Sequence, residues 1–236
     1  MNHSTKKTFF IMNIALFVCA ILFLIYYDYS GGLWLKGLTI LWFVILGGVN
    51  LLYAHIQGIK PPLFMISLAL GLCCGMLADV LLGIQFFVGL VIFALGHVLY
   101  IVAFYTLEKF HLIDLFIMIP VSALSICIIT GTPYIQVDDP FMKSMLLGYA
   151  VVISCMLGKA VSNAIIRPTL SRVLMLLGSV LFLFSDLMLA VDFFGKTSRL
   201  VWALCAYTYW PAQCILALSL FCFVNEIALD NKKKDI

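Results

Sequence analysis

The sequence contains little charge. Asp, Glu, Lys and Arg make up 11% of its 236 residues, whereas 64% of the residues are hydrophobic. A soluble domain has about 25% charged and about 45–50% apolar residues, so this composition excludes a soluble globular protein. The mean hydropathy of +1.16 is that of an integral membrane protein. No basic stretch is interleaved with aromatic residues, so we expect no nucleic-acid partner.

Several motifs of common site types are also absent. The eight cysteines all lie within apolar runs and form no C-x-x-C pair, which is typical of small core residues rather than of a disulfide framework. There is no H-E-x-x-H motif and no other cluster with metal-ligand spacing. We therefore predict no metal and no other cofactor, although two carboxylates and one histidine leave metal binding as a weaker alternative. The absence of G-x-S-x-G argues against an ordinary ester lipase.

What the sequence does contain is apolar runs long enough to cross a bilayer, which takes about 20 residues. Lys6 and Lys7 precede the first run as in a signal peptide, but the run exceeds a signal core of about 7–15 residues and no A-x-A-like site follows it. We therefore treat it as a span. The sequence predicts an all-α membrane protein, one integral membrane domain over 1–236, with eight spans near 9–26, 34–53, 63–83, 86–106, 114–130, 144–161, 170–191 and 201–224.

Lysine and arginine are distributed unequally between the two sides that these spans define. Ten lie on one side and four on the other, and cytoplasmic loops are those that carry the excess. This predicts a multi-pass protein of the cell membrane with both termini in the cytoplasm. The larger set is Lys6, Lys7, Lys60, Lys109, Lys159, Arg167, Arg172 and Lys232 to Lys234, and the smaller set is Lys36, Lys143, Lys196 and Arg199. Lys159 should reach the interface or cap a helix end.

Two aspartates lie inside the apolar runs, Asp79 in span three and Asp186 in span seven. A charged group at the bilayer centre costs about 3 kcal/mol or more, so such residues are functional-site candidates by default. Each is sixteen residues beyond the start of its span, at Leu63 or Leu170. A helix rises about 1.5 Å per residue, which places both acids about 24 Å from the cytoplasmic helix ends and in the outer half of the membrane.

The two acids occupy one register of an apparent internal repeat. The segments 59–106 and 166–213 align without a gap at an offset of 107 residues, the separation of Asp79 and Asp186. Both begin with a basic residue and proline, and Gly71 aligns with Gly178. Because the offset covers an even number of spans, we predict two four-helix halves related by an axis along the membrane normal, with both acids at one depth.

Polar groups also follow one stripe of spans four and eight. His97 and Tyr100 are three residues apart in span four, and Tyr209 and Gln213 are four residues apart in span eight. Residues at these spacings share a helix face. They are candidates to bind or support a substrate. The alternative for each is a structural role, as packing or as an interhelical hydrogen bond.

The chain resembles the YhhN-like lysoplasmalogenase family from span two to span eight. The resemblance rests on stretches that read GMLADVLL, FVGLVIFALGHVLYIVAF, LLGYAVVISCM, LFLFSDLMLA and TYWPAQCILAL. It implies a multi-pass hydrolase that cleaves the vinyl ether of a lysoplasmalogen, with an ethanolamine or choline head group, to a fatty aldehyde and a glycerophospho-alcohol. The family's site residues match Asp79, Asp186, His97, Tyr209 and Gln213.

Two departures from the family pattern concern the shape of the pocket. Ala78 stands where the family usually has glycine, and Trp210-Pro211 replaces a milder pair. Neither departure removes a polar group. The resemblance therefore implies a lysophospholipid and water as substrates, and membrane lipid as the surroundings, but it leaves open whether a lysoplasmalogen is the substrate of this chain.

The implied chemistry needs one carboxylic acid and one carboxylate. Hydrolysis of an enol ether begins with protonation of its β-carbon, and water then captures the oxocarbenium ion, as in the acid and base pair of glycosidases. The sequence does not say which aspartate is the acid, and it predicts no oligomeric state. Two other classes stay open: a proton-coupled transporter of a small molecule or lipid, which also has paired membrane acids, and a non-catalytic lipid-binding protein.

Overall fold

The computed structural model describes residues 3–195 and 197–234. These residues form eight α-helices, each long and apolar enough to cross a membrane. This confirms the all-α class and the eight predicted spans. The helices extend beyond the apolar runs because a helix continues into the polar interface, where an apolar window ends. The helices are α1 His3–Ser30, α2 Leu33–Ile56, α3 Leu63–Leu82, α4 Phe86–Leu107, α5 Leu112–Gly131, α6 Pro140–Ile166, α7 Leu170–Phe194 and α8 Arg199–Lys234.

Short connections define the two ends of the helix bundle. The loops at 31–32, 83–85, 132–139 and the described residues between α7 and α8 lie at one end. We call it the acid end because Asp79 is three residues, and Asp186 eight residues, before the end of its helix there. The other end carries both termini and is called the terminal end. The α3–α4 turn is so tight that a Cβ at Gly89 would lie 2.6 Å from the Leu82 nitrogen. Glycine is therefore required at this close approach.

The described lysines and arginines lie at the ends of the bundle to which the predicted spans assign them. Lys36, Lys143 and Arg199 are in the first turns of α2, α6 and α8, at the acid end. Lys196 lies outside the described residues. The cytoplasmic location of the terminal end stays a prediction. So does the internal duplication, although its two proposed hairpins, α3 with α4 and α7 with α8, are the most extensively packed neighbours in the bundle.

Helix α8 is the centre of the packing. It contacts α1, α2, α3 and α7, and its buried residues belong to the main apolar core. An amide pair fixes part of this arrangement inside the bundle. Asn13 and Asn50 donate to each other at 2.9 Å, and Asn50 also donates to the Ala217 carbonyl at 3.0 Å. Three helices are thus joined by hydrogen bonds that have no competition from water.

The terminal end is closed by buried charges. Lys159 is fully buried, its Nζ lies 3.3 Å from Oδ2 of Asp114, and it donates to the Lys109 carbonyl at 2.6 Å. It therefore bonds to the loop after α4 instead of to a helix end. Beside it, Arg172 pairs with Glu108 at 2.8 Å. The contacts hold α4, α6 and α7 together around the loop at 108–111.

Candidate active site

Asp79 is paired with a lysine from the neighbouring helix. Lys36 Nζ lies 2.8 Å from Oδ1 of Asp79 and also donates to the Asp79 carbonyl at 2.8 Å. Asp79 is 8% exposed. Its second oxygen, Oδ2, is buried without a hydrogen-bond partner among the described residues. An ammonium group at this distance favours the carboxylate form of Asp79, and Oδ2 has an unused lone pair with which to accept a proton.

Among the described residues, Asp186 has hydroxyl and imidazole neighbours and no lysine or arginine partner. The Tyr149 hydroxyl donates to its Oδ2. The Nε2 of His97 lies 3.7 Å from the same oxygen. Asp186 is also 8% exposed. A carboxyl group that accepts a hydroxyl on one oxygen can carry a proton on the other, so this surrounding suits a carboxylic acid.

The protonation of His97 follows from its contacts. Its Nδ1 lies 2.8 Å from the Phe93 carbonyl, which can only accept, so Nδ1 carries the hydrogen. In the neutral imidazole, Nε2 is then an acceptor, and it has no hydrogen-bond partner among the described side chains. The ring is 1% exposed and packs edge to face on Phe182, with centroids 4.5 Å apart. His97 therefore presents an acceptor nitrogen toward Asp186.

The other three predicted site residues form a hydrogen-bonded chain. Tyr100 donates to Oε1 of Gln213 at 2.6 Å, Gln213 donates to the Tyr209 hydroxyl at 3.3 Å, and Tyr209 donates to the Gly75 carbonyl at 3.1 Å. Gly75 is one turn before Asp79 on α3. The chain therefore fixes the backbone that carries this acid, and a Cβ at Gly75 would collide with Gln213.

One turn of α8 lies between the two acid helices. Ser185, the residue before Asp186, donates to the Cys205 carbonyl at 3.2 Å. Tyr209, four residues further along α8, bonds to α3 through Gly75 as described. The same turn of α8 therefore bonds to both helices that carry the acids.

A cavity of about 210 Å³ opens on Asp79 at the acid end, and we call it the acid cavity. Lys36, Cys205, Tyr209 and Trp210 line it together with Asp79. The indole N–H of Trp210 is buried and has no partner among the described residues. Buried polar groups are normally hydrogen-bonded, so an unpaired donor and an unpaired carboxylate oxygen at one cavity are typical of a site that receives a polar ligand.

Sequence reasoning missed Lys36 and Tyr149 as members of this site. Lys36 lies inside the predicted second span. A charged residue within a span is a functional-site candidate, so the sequence did contain a signal for Lys36. Tyr149 gave no such signal, because a tyrosine near a span end is most often an interfacial anchor. At the repeat offset of 107 residues, Lys36 corresponds to Lys143. Lys143 is exposed, so within residues 3–195 and 197–234 a lysine partner is found for Asp79 and not for Asp186.

The YhhN family model matches residues 42–220. The chain belongs to the YhhN family. The matched range runs from α2 into α8 and contains both acids and the side chains of the hydrogen-bonded chain, whereas Lys36 precedes it. Membership of the YhhN family indicates a membrane protein of a hydrolase type. No curated protein and no solved structure shows significant similarity to the chain.

Proposed function

We propose that this YhhN-family chain hydrolyses the vinyl ether of a lysoplasmalogen, releasing a fatty aldehyde and a glycerophospho-alcohol. The observation that carries the proposal is the difference between the two buried carboxyl groups. Asp79 is 2.8 Å from an ammonium group, whereas Asp186 accepts a hydroxyl and faces a histidine nitrogen. One group is suited to act as a base and the other as an acid, which is the pair that this reaction requires.

In the proposed first step, protonated Asp186 transfers its proton to the β-carbon of the vinyl ether. The carbon–carbon π bond breaks, its electrons form the new C–H bond, and the α-carbon becomes an oxocarbenium ion. Ionised Asp186 then lies beside this cation and stabilises it. The hydrogen bond from Tyr149 holds the carboxyl group in one orientation, so that the proton is positioned without further rearrangement.

In the second step, Asp79 takes a proton from water while the water oxygen bonds to the oxocarbenium carbon. The product is a hemiacetal. Its collapse forms the aldehyde carbonyl, transfers the hydroxyl proton to Asp186, and passes the proton on Asp79 to the departing glycerol oxygen. Both acids return to their starting states. Lys36 supports this cycle because it stabilises the carboxylate form of Asp79 before each turnover.

The surroundings suggest where the alkenyl tail lies. A small apolar crevice beside Asp186 is lined by Ile129, Leu146 and Leu183 of α5, α6 and α7. Its volume is about 20 Å³, so an alkyl chain must displace a helix to enter it. Helix α5 is suited to this movement, because only 17% of the residues in its most apolar stretch are buried. This is the lowest share among the described helices.

The ion pairs at the terminal end favour a hydrolase over a carrier. Alternating access requires that both ends of a transporter open in turn. Here Lys159 and Asp114 form a buried ion pair, and Arg172 and Glu108 form a partly buried one, among α5, α6, α7 and the loop after α4. Breaking a buried pair costs about 3–5 kcal/mol, which opposes an opening movement. A site that is reached from the acid end alone is sufficient for hydrolysis.

The proposal is tested by incubating the detergent-purified protein with 1-alkenyl-glycerophosphoethanolamine in D₂O. The fatty aldehyde should appear without any membrane gradient. Because the acid delivers a solvent proton to the β-carbon, the aldehyde, reduced at once to its alcohol, should carry one deuterium at carbon 2. The saturated 1-alkyl lipid is the control and should give no product. Absence of aldehyde, or aldehyde without deuterium at that carbon, would contradict the mechanism.

A further inference from the structure

At the acid end, a second cavity lies against the acid cavity. Its volume is about 510 Å³, and its lining includes Asp28 at the end of α1 and Arg199 at the start of α8. Tyr27 and Trp202 line both spaces, so the two cavities adjoin at these rings. We call the second space the mouth cavity.

Asp28 and Arg199 form an ion pair in the mouth cavity. Nη2 of Arg199 lies 2.6 Å from Oδ1 of Asp28, but Oδ1 has no aligned hydrogen bond among the described residues. Oδ2 accepts a hydrogen bond of 3.1 Å from Tyr207. The side chain of Asp28 is 15% exposed and that of Arg199 is 69% exposed. The carboxylate is therefore held in place, whereas the guanidinium group is accessible from solvent.

Trp202 adds an aromatic face beside this pair. The guanidinium carbon of Arg199 lies 5.1 Å from the centroid of the Trp202 ring, and the Tyr27 ring lies 6.1 Å from it. Cations bind over the faces of tryptophan and tyrosine within about 6 Å of the ring centroid. The mouth cavity thus combines a fixed carboxylate, an accessible guanidinium group and a ring that already contacts a cation.

We propose that the mouth cavity binds the zwitterionic head group of a lysophospholipid. Its phosphate pairs with Arg199, whose planar guanidinium matches two phosphate oxygens. Its ammonium group pairs with Oδ1 of Asp28 and lies against Trp202. The phosphate thus takes the place of Asp28 beside Arg199, and the ammonium group takes the place of Arg199 beside Asp28. This site rests on the proposed function, because the glycerol backbone connects the head group to the vinyl ether at the acids.

The test measures equilibrium binding of saturated 1-alkyl lipids, which have no vinyl ether to cleave, to the purified full-length protein. The probes are 1-alkyl-glycerophosphoethanolamine, 1-alkyl-glycerophosphate and 1-alkylglycerol. Arg199→Gln should weaken binding of both phosphate lipids by about tenfold or more and leave 1-alkylglycerol unchanged. Asp28→Asn should weaken only the ethanolamine lipid. Unchanged affinities in Arg199→Gln would overturn the proposal.

Two controls separate binding from structural support. Lys143→Gln removes an exposed charge at the same end and should leave all three affinities unchanged. The exchange of Asp28→Arg with Arg199→Asp keeps an ion pair but reverses its direction. A head-group site should lose its preference for phosphate lipids in this exchange while Tm is retained. If affinity and Tm are both retained, the pair is structural and the proposal is wrong.

The proposal of a head-group site and the proposal of hydrolase activity can be refuted independently. Arg199-dependent lipid binding without aldehyde release from the alkenyl lipid would keep the site and refute the hydrolase. Aldehyde release with lipid affinities that ignore Arg199→Gln would keep the hydrolase and refute the site. Soluble glycerophosphoethanolamine that competes as strongly as the lipid would assign the mouth cavity to a free phosphate compound and overturn the lipid proposal.

Discussion

Replacing Lys36 by methionine isolates the contribution of one ammonium group to the site. Methionine keeps most of the length and apolar area of the side chain, so the change removes the charge 2.8 Å from Asp79 and the hydrogen bond to the Asp79 carbonyl. Without the ammonium group the carboxylate form of Asp79 is disfavoured. The contribution of this base to proton transfer should then be lost, and aldehyde release should fall by about 10²- to 10⁴-fold.

The assay is kcat/KM for aldehyde release, with Tm in detergent measured on the same preparations. Lys36→Arg keeps the charge and should retain more activity than the methionine variant. Lys143→Met is the matched control, a lysine at the corresponding position of the proposed repeat that is exposed, and it should behave as the wild type. In a double-mutant cycle, Lys36→Met should cost little once Asp79→Asn is present. Wild-type turnover by Lys36→Met at unchanged Tm would refute the assignment of Asp79 as the ionised base.

Four further substitutions test other parts of the site and fold. Asp79→Asn and Asp186→Asn should each lower aldehyde release by about 10²- to 10⁴-fold, and the double variant should cost little more than the worse single one; near-wild-type rates would favour the transporter. Tyr149→Phe should lower release by about tenfold or more, whereas Tyr105→Phe, which removes a similar hydroxyl from Asp114 at the other end, should not. Lys159→Met should destabilise the fold by about 3–5 kcal/mol, seen as a lower Tm, without changing turnover of the folded fraction.

The helices could be predicted from the sequence because membrane insertion depends on local composition. Each span needs an apolar run of nearly fixed length, so the eight helices appear directly in the hydropathy pattern. The acids could be found for a related reason, since an Asp inside such a run is exceptional. His97, Tyr100, Tyr209 and Gln213 could be placed on helix faces from their spacing. These features depend only on residues close together in the chain.

The contacts between residues of different helices could not be predicted in the same way. Tyr100 and Gln213 are 113 residues apart, and nothing in their local sequence indicates that they bond to each other. The same holds for Lys36 and Asp79, which are 43 residues apart: each is a lone charge near the end of its own helix. Which helices face each other is decided by packing around α8, where small residues allow close approach. Roles that depend on a partner, such as acid or base, therefore need the assembled bundle.

The proposed repeat makes this distinction sharper. At its offset of 107 residues the repeat places an aspartate at 79 and 186 and a lysine at 36 and 143, whereas His97 and Tyr149 have no counterpart in the other half. Two carboxyl groups in identical surroundings could share one proton, but the proton would lie on either of them, so neither would have a fixed role as acid or base. The asymmetry comes from α6, where Lys143 is exposed and Tyr149 contacts Asp186 instead. The different partners of the two acids, rather than the acids themselves, therefore provide the two protonation states on which the proposed reaction depends.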